Sequence, residues 1–527
     1  MRKGFRERIG IALCYPNTFA VGMANLGFQA VHRLTNEFEG ALCERVFADE
    51  GPPRSVESGR PLAQFDAVAF SISFESDYPN IIAMLDKAGI PIAARDRDES
   101  HPLVLAGGVA AFLNPEPIAP FVDLFLLGEA EALLPGFLAH FDPGADREGL
   151  LAELARELPG AYVPRFYTPR YGENGALAAF EPKPGHPERV KRVFAEDAAS
   201  FPTTSSFVSQ DAAFPSFLIE VGRGCPHGCR FCAAGHVYRP VRFRPLALLK
   251  EAVDAGLAVT DRIGLLSAAV TDLPELPALC RYAVERGARL SFSSLRADAL
   301  SPEIVAALAA GGARTATIAP DAGSERMRRV IGKKISEEHV LRAAEMLVSA
   351  GIPNLKLYFM TGLPHERDDD VDAIALLTRK VKGIFLQESR RKGRMGAISV
   401  NVSSFVPKPA TPFQWAAMDP APVLAAKHRR IREGLAGLPN VTVSTDVPRR
   451  AFVQALLSRG DRRVADILLA AHANSGNWPK TLKESLIDPA FFVLRERPAG
   501  ELFPWDFIDH GVPKRHLLRE WERAATD

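Results

Sequence analysis

The stretch SFLIEVGRGCPHGCRFCAAG, residues 216–235, decides how the rest of the chain is read. It opens as an apolar run of the buried-strand type and turns at Gly222 and Gly224. It then places Cys225, Cys229 and Cys232 within eight positions. The chain has six cysteines, so half of them are spent on one loop. The spacing is CxxxCxxC, with an aromatic, Phe231, just before the last thiol. Zinc is one reading. Structural zinc takes four ligands, generally in two pairs, so His227 or His236 would have to complete this single triplet. An iron–sulfur cluster is the other reading, because thiolates at short spacing hold such clusters. A cubane with three protein ligands leaves one iron open to a substrate or cofactor.

The apolar runs that follow continue the pattern: RIGLLSAA (262–269), RLSFSSLR (289–296), TATIAPDAG (315–323), NLKLYFMTG (354–362) and AISVNVSSFVP (397–407). Amphipathic stretches separate them, one of them near 246–258. Six β/α units, about 30 to 40 residues apart, predict a partial TIM-type (β/α)6 barrel, whose chemistry belongs at the C-terminal strand ends. The cysteine loop follows the first strand directly. Upstream, RIGIALCYPN, FDAVAFSISFE, HPLVLAGGVA and VDLFLLGEAE read as buried parallel strands, with helical patterns at 25–38 and 78–88. This order predicts a doubly wound, Rossmann-like domain with its ligand at the strand C-termini. Ser71, Ser73, Gly107, Gly108 and the Gly128–Glu129 turn fall there; any one of these turns alone is equally a tight βα connection. The fold class is therefore α/β. The divisions are a Rossmann-like domain over 1–145, a connector over 146–213, the barrel over 214–415 and a mainly helical C-terminal region over 416–527.

Composition excludes several classes. The 527 residues are 47% hydrophobic and 24% charged, ordinary globular proportions. Lys plus Arg is 64 against 63 for Asp plus Glu, a formal charge of +1, so no global polyanion-binding field exists. No apolar run reaches the roughly 18 to 20 residues of a membrane span, and no membrane partner is expected. The N-terminus lacks a signal-peptide core. A cytoplasmic location is expected, where clustered cysteine means metal or catalysis and not disulfide.

The cysteine spacing and its context resemble the radical SAM family. That resemblance implies a [4Fe-4S] cluster on Cys225, Cys229 and Cys232, with S-adenosylmethionine on the open iron, cleaved reductively to a 5'-deoxyadenosyl radical. Phe231 belongs to the same signature. Further matches follow in order. Ser267, in Ser267–Ala268–Ala269, stands where a glycine-rich segment meets the cofactor's amino group, although the glycines are absent. Ser294 and Arg296 end the third strand, where polar groups reach the ribose or carboxylate. APDAGSERMRRVIGKK resembles an E-S-G-S…R segment and supplies Asp321, Gly323 and Ser324, with Asp321 in place of Glu and Lys333 in place of Arg. MTGLPHE resembles the G-x-P-x-E turn beside adenine and supplies Gly362. Ser324 equally suits a helix cap.

A doubly wound domain ahead of the barrel resembles the cobalamin (B12)-binding group of the family. Ser71 and Ser73, with Gly107 and Gly108, resemble its S-x-L and GG elements, which line the nucleotide tail. The D-x-H-x-x-G loop is unmatched; YPNTFAVGMANLG stands there, with Asn17, Gly22 and Asn25. A domain of this lineage that binds no cobalamin is the alternative. Nearly the whole chain resembles one bacterial group of such proteins, on YPNTFAVGMANLGFQ, NVSSFVPKPATPFQW, ALLSRGDRR and PWDFIDHGVPKRHL. The likeness implies a cobalamin-dependent methyltransferase with a reductase as electron donor. The substrate, whether RNA, protein or small molecule, is not implied. A methylthiotransferase would need three further cysteines in the N-terminal domain, and only Cys14 and Cys43 lie there. An RNA-binding module on a barrel scaffold is the third reading, carried by RRKGR (390–394) and KHRRIR (427–432). Asp461, Trp505, Asp506 and His510 are further candidates for the barrel mouth.

Overall fold

The computed structural model describes residues 8–197, 199, 203–292 and 295–527. Its first sheet comprises β1 (Ile9–Tyr15), β2 (Ala41–Phe47), β3 (Ala67–Ser71), β4 (Leu103–Gly107), β5 (Leu124–Leu126) and β6 (Ala161–Tyr162), in the order β2-β1-β3-β4-β5-β6. The first five are parallel and β6 is antiparallel. Strand order reverses between β1 and β3, so the crevice for a ligand opens at Tyr15 and Ser71. The four expected strands are β1, β3, β4 and β5. The second, β2, reads ALCERVF, and its charges hide it. Both are satisfied by distant groups: Ser58 Oγ donates to Glu44 over 2.6 Å and Arg45 Nε to Glu57 over 2.6 Å.

The connector holds a helix (Arg147–Glu157), the hairpin β7 (Tyr167–Tyr171) and β8 (Leu177–Pro182), and the short β9 (Val190–Lys191). The barrel follows: β10 (Phe217–Glu220), the short antiparallel pair β11 (Gly222–Arg223) and β12 (Arg242–Phe243), then β13 (Arg262–Leu266), β14 (Arg289–Phe292), β15 (Thr315–Asp321), β16 (Asn354–Thr361), β17 (Ile398–Ser404) and β18 (Val441–Thr445). The order is β10-β13-β14, then β15-β16-β17-β18, and a parallel bridge from Leu295 to Ile318 joins the two groups. All six expected strands are present, and β18 adds a seventh from beyond residue 416. Outward residues such as Ile263, Leu290, Ile318, Leu357 and Val400 are buried in one core with the surrounding helices.

The C-terminal region does not stand alone. Trp415, Leu456, Phe503 and Trp505 belong to the same core as the N-terminal sheet. β19 (Ile508–Asp509) pairs in parallel with β9. Asn114 Nδ2 donates to the carbonyls of Ser458 and Gly460 at 3.0 and 2.8 Å. Lys408, after β17, pairs with the buried Glu75 at 2.6 Å. The barrel mouth and the C-terminal ends of the first sheet therefore face each other. Among the described residues no helix is long and apolar enough to cross a membrane.

Candidate functional site

The cysteine loop is clasped at its base by β11 and β12, where Arg223 faces Arg242 in register. Two glycines let it fold on itself. A Cβ on Gly224 (φ +91°) would stand 2.2 Å from the Tyr238 carbonyl, and one on Gly235 would stand 2.1 Å from that of His227. Arg230 anchors the loop from below. Its N–H donates to Ile331 O at 2.9 Å, and its guanidinium to Val330 O at 2.9 Å and to Asp527 at 2.6 Å. Glu520, on the helix Lys514–Ala524, lies 3.2 Å away. Phe231 packs against the cluster of Met327, Ile331 and Phe413. With its other residues tied down, the loop leaves Cys225, Cys229 and Cys232 free and partly exposed.

Burial pushes all three thiols up, Cys229 to about 12, so without an electropositive partner they stay protonated. Arg296 and Lys333 act in the opposite sense on Cys229, and Arg296 also on Cys225. The histidines that would complete a zinc site are engaged elsewhere. His227 Nε2 lies 2.8 Å from Asp272 Oδ1, and His236, buried and held down to about 4, places Nε2 3.3 Å from Cys229 O. Among the described residues no three His, Cys, Asp or Glu side chains converge on one metal ion. Three free thiols on one clasped loop suit a cubane, in which each thiolate takes a different iron.

The remaining expected residues divide into two groups. Arg296 follows β14 and is fixed by Asp298 in a two-pronged pair at 3.1 and 2.8 Å. Asp321 ends β15 beyond a break in register, in the left-handed region (φ +62°), and pairs with Lys333. The two departures from the resembled segment thus compensate each other. Ser267 lies just past β13, where its Oγ accepts from Ala269 N at 3.2 Å. Arg296 and Asp321 lie close enough to the cysteine loop to act electrostatically on Cys229. Gly323 and Ser324 are used structurally. A Cβ at Gly323 would meet Ile374 N at 2.3 Å, and Ser324 caps the helix Glu325–Val330, accepting from Met327 N at 2.9 Å. Gly362 (φ +78°) donates to Glu366 at 2.8 Å and closes its own turn. Ser294 lies outside the described residues.

A cavity of about 490 Å³ runs from the first sheet's crevice to the base of the cysteine loop, at Gly224 and Ala234. Ser71, Ser73, Gly107 and Gly108 line it on one side, and Gly224, Tyr238 and Ser267 on the other. Its deep wall is apolar, with Leu13, Leu26, Val31, Leu105 and Leu126. Asn25 caps the helix Leu26–Glu37 and donates to Ser73 Oγ at 3.0 Å, fixing the polar rim. The two glycines differ. Gly108 (φ +101°) lets β4 pass Ile72, whose carbonyl would lie 2.4 Å from a Cβ; at Gly107 the nearest atom is 3.6 Å away.

Sequence reasoning did not find the charged wall of this cavity. Arg223 donates to Glu129 at 2.9 Å, Glu131 at 2.7 Å and Glu220 at 2.9 Å. Arg242 joins Glu129 at 2.6 Å and Arg244 joins Glu220 at 2.7 Å. Burial raises Glu129 and Glu131, but the guanidinium groups outweigh it and hold both below the usual carboxylate range. The only hints were the Gly128–Glu129 turn and the arginine inside GRG. The C-terminal candidates are structural in their contacts: Asp461 holds Arg463 and Trp505 Nε1 donates to Gln414 at 2.8 Å. Asp506 pairs with Lys514, and the buried His510 packs on Phe112.

Residues 27–164 match the family described as radical SAM proteins, N-terminal, and residues 219–378 match the radical SAM superfamily. The uncharacterised protein MJ0966 of Methanocaldococcus jannaschii is 30% identical over 466 residues, 87% of this chain and 90% of that protein. A tRNA-2-methylthio-N(6)-dimethylallyladenosine synthase of Sorangium cellulosum is 30% identical over 236 residues, 38% of this chain and 47% of the synthase. The structure of the cobalamin-dependent S-adenosylmethionine radical enzyme OxsB with aqua-cobalamin and S-adenosylmethionine bound aligns with a TM-score of 0.48 and 14% identity, over 98% of this chain and 79% of that one.

Proposed function

The chain belongs to the radical SAM superfamily, and from that premise we propose that it is a cobalamin-dependent methyltransferase acting on an unactivated carbon. The observation that carries this reading is one continuous cavity that joins the first sheet's crevice to the base of the cysteine loop. When bound, the cluster and S-adenosylmethionine supply the radical chemistry, and the corrinoid supplies a methyl carrier. Cys225, Cys229 and Cys232 are the proposed cluster ligands. Arg296 and the Asp321–Lys333 pair, charged groups beside that loop, are the proposed partners of S-adenosylmethionine. Ser71, Ser73, Gly107 and Gly108, above an apolar slot, are the proposed cradle of the corrinoid's nucleotide tail. No imidazole is offered by the loop after β1: Asn17 donates to Asp77 at 2.8 Å, and Asn25 is committed to Ser73.

The deciding experiment is anaerobic purification with cobalamin supplied, followed by iron, sulfide and corrinoid analysis of one sample. Iron and corrinoid should appear together, the corrinoid base-off and without a histidine ligand. A preparation rich in iron but free of corrinoid would leave a radical SAM enzyme whose cavity serves its substrate instead.

Arg296→Ala and Asp321→Ala should each weaken S-adenosylmethionine binding by about 10- to 150-fold, as a charge-assisted hydrogen bond of roughly 1.5 to 3 kcal/mol requires. Equilibrium dialysis on reconstituted protein measures this. Unchanged affinity in both variants would assign the cofactor to other strand ends.

The match to a tRNA methylthio-modifying enzyme favours a second reading. It needs thiols for another cluster, yet Cys14 and Cys43 are buried in the first sheet's core and Cys280 in a helix. Roughly eight irons per chain would revive it.

A further inference from the structure

The inner face of the barrel is not filled. Leu355, Leu357 and Phe359 of β16 are buried against helices, whereas Lys356 and Tyr358 between them are exposed. Ser291, Ser403, Thr442 and Ser444 are likewise exposed on neighbouring strands. Closed barrels pack this space with layers of branched side chains; here it is an open polar trough. Lys356 stands in register with Thr317 and Ser399, and Tyr358 with Asn401.

Positive charge gathers at the N-terminal ends of the same strands. Arg262 and Arg289 are register partners, with Asp261 held by Arg289 at 2.6 Å. Arg314 directly precedes β15, and the run 390–394 precedes β17. Arg314, Arg390, Lys392 and Arg394 are exposed and form no ion pair among the described residues. Of the acidic groups nearby, Asp254 is held by Arg286 and Glu388 by Arg391, and the exposed Glu285 at the end of the helix before β14 forms no ion pair among the described residues. The other basic run is partly spent: Lys427 binds Glu366 and Asp419, and Arg430 binds Asp368 and Asp372, while Arg429 and Arg432 stay exposed. Residues far apart in sequence thus make one cationic rim on a chain of near-zero net charge.

We propose that this trough binds a single-stranded nucleic-acid segment, the rim gripping phosphates and the inner face receiving the base to be modified. The proposal rests on the radical SAM reading of the same barrel and names its substrate class. Phosphates are attracted by a rim whose cations outnumber its carboxylates. A base needs a stacking surface and neutral donors and acceptors, which Tyr358, Asn401 and the serines provide. An acidic peptide would instead need cations along the trough, where among the described residues Lys356 stands alone between rim and mouth.

The test is fluorescence anisotropy of the full chain with a labelled single-stranded RNA across a salt series. Binding should weaken steeply with salt. The R314Q/R390Q/R394Q variant should bind at least about tenfold more weakly, with a log–log salt slope shallower by about 2. Tyr358→Ala should lose about tenfold with the slope unchanged, as removal of a stacking partner predicts. Iron content and S-adenosylmethionine cleavage without RNA should be unaltered in both, so a failure of the enzymatic reading shows separately in the parent. The proposal is overturned if the parent does not bind, if the triple variant binds like the parent, or if polyglutamate displaces the probe as readily as unlabelled RNA.

Discussion

A chain carrying Cys225→Ala, Cys229→Ala and Cys232→Ala together should come through anaerobic purification without iron, against roughly four irons per chain in the parent. It should still fold and still take up corrinoid. The thiols are not what holds their loop: its base is clasped by β11 and β12, its path is set by Gly224 and Gly235, and Arg230 and Phe231 anchor its far side. Alanine therefore removes ligands without removing a core. The Ser71, Ser73 and Gly107 side of the cavity lies on another sheet and is left intact. Iron and corrinoid analysis of the same sample checks both halves. Iron surviving the triple change would demand a second cluster, for which the remaining three cysteines are badly placed. Loss of corrinoid along with iron would mean that the loop, and not the first sheet, carries the methyl-carrier site.

What could be read from sequence follows from how parallel strands are buried. β1, β3, β4, β5 and the six strands from β10 to β17 that make the barrel are covered on both faces or packed tightly on one. They appear as apolar runs followed by glycine or serine. β2 escaped because Glu44 and Arg45 interrupt its run, and the Ser58 and Glu57 groups that satisfy them become neighbours only after folding. β18 escaped because VTVST is polar on the trough side. The integration of the C-terminal region was hidden for a similar reason. Trp505 reads in sequence as a candidate for the barrel mouth, whereas with Trp415 it fills the N-terminal core. At the site, the cysteines were legible because their chemistry imposes a spacing. Arg223, Glu129, Glu131 and Glu220 were not, because an ion network assembled from two domains has no period along the chain.

Arg223→Ala should cost about 3 to 5 kcal/mol at pH 8, as breaking a buried ion pair from one side does. Arg223 is the hub of the charged wall, with side-chain exposure of 15%, and among the described residues it alone forms an ion pair with Glu131, whose exposure is 7%. Arg242 and Arg244 still cover Glu129 and Glu220 in the variant, so the uncompensated charge falls on Glu131. In the parent, burial raises the Glu131 carboxyl, but Arg223 more than offsets this and holds it low. That contribution is complete above the unfolded carboxylate value of about 4.3. It is lost as pH falls through the depressed folded value. In the variant burial is opposed only by a backbone N–H and the weaker pull of Arg244, so the carboxyl moves up, and stability is regained as pH falls and protonates it. The gap between parent and variant should therefore be widest above pH 7 and should narrow toward pH 5. Urea unfolding at the two pH values measures it. Arg223→Lys should recover only part of the loss, because one ammonium cannot reproduce a planar fork shared among three carboxylates. A loss below about 1 kcal/mol at pH 8, typical of surface pairs, would show that solvent reaches the network and that the two domains are not locked at the cavity. A gap that stays constant with pH would move the origin of the loss from Glu131 to packing.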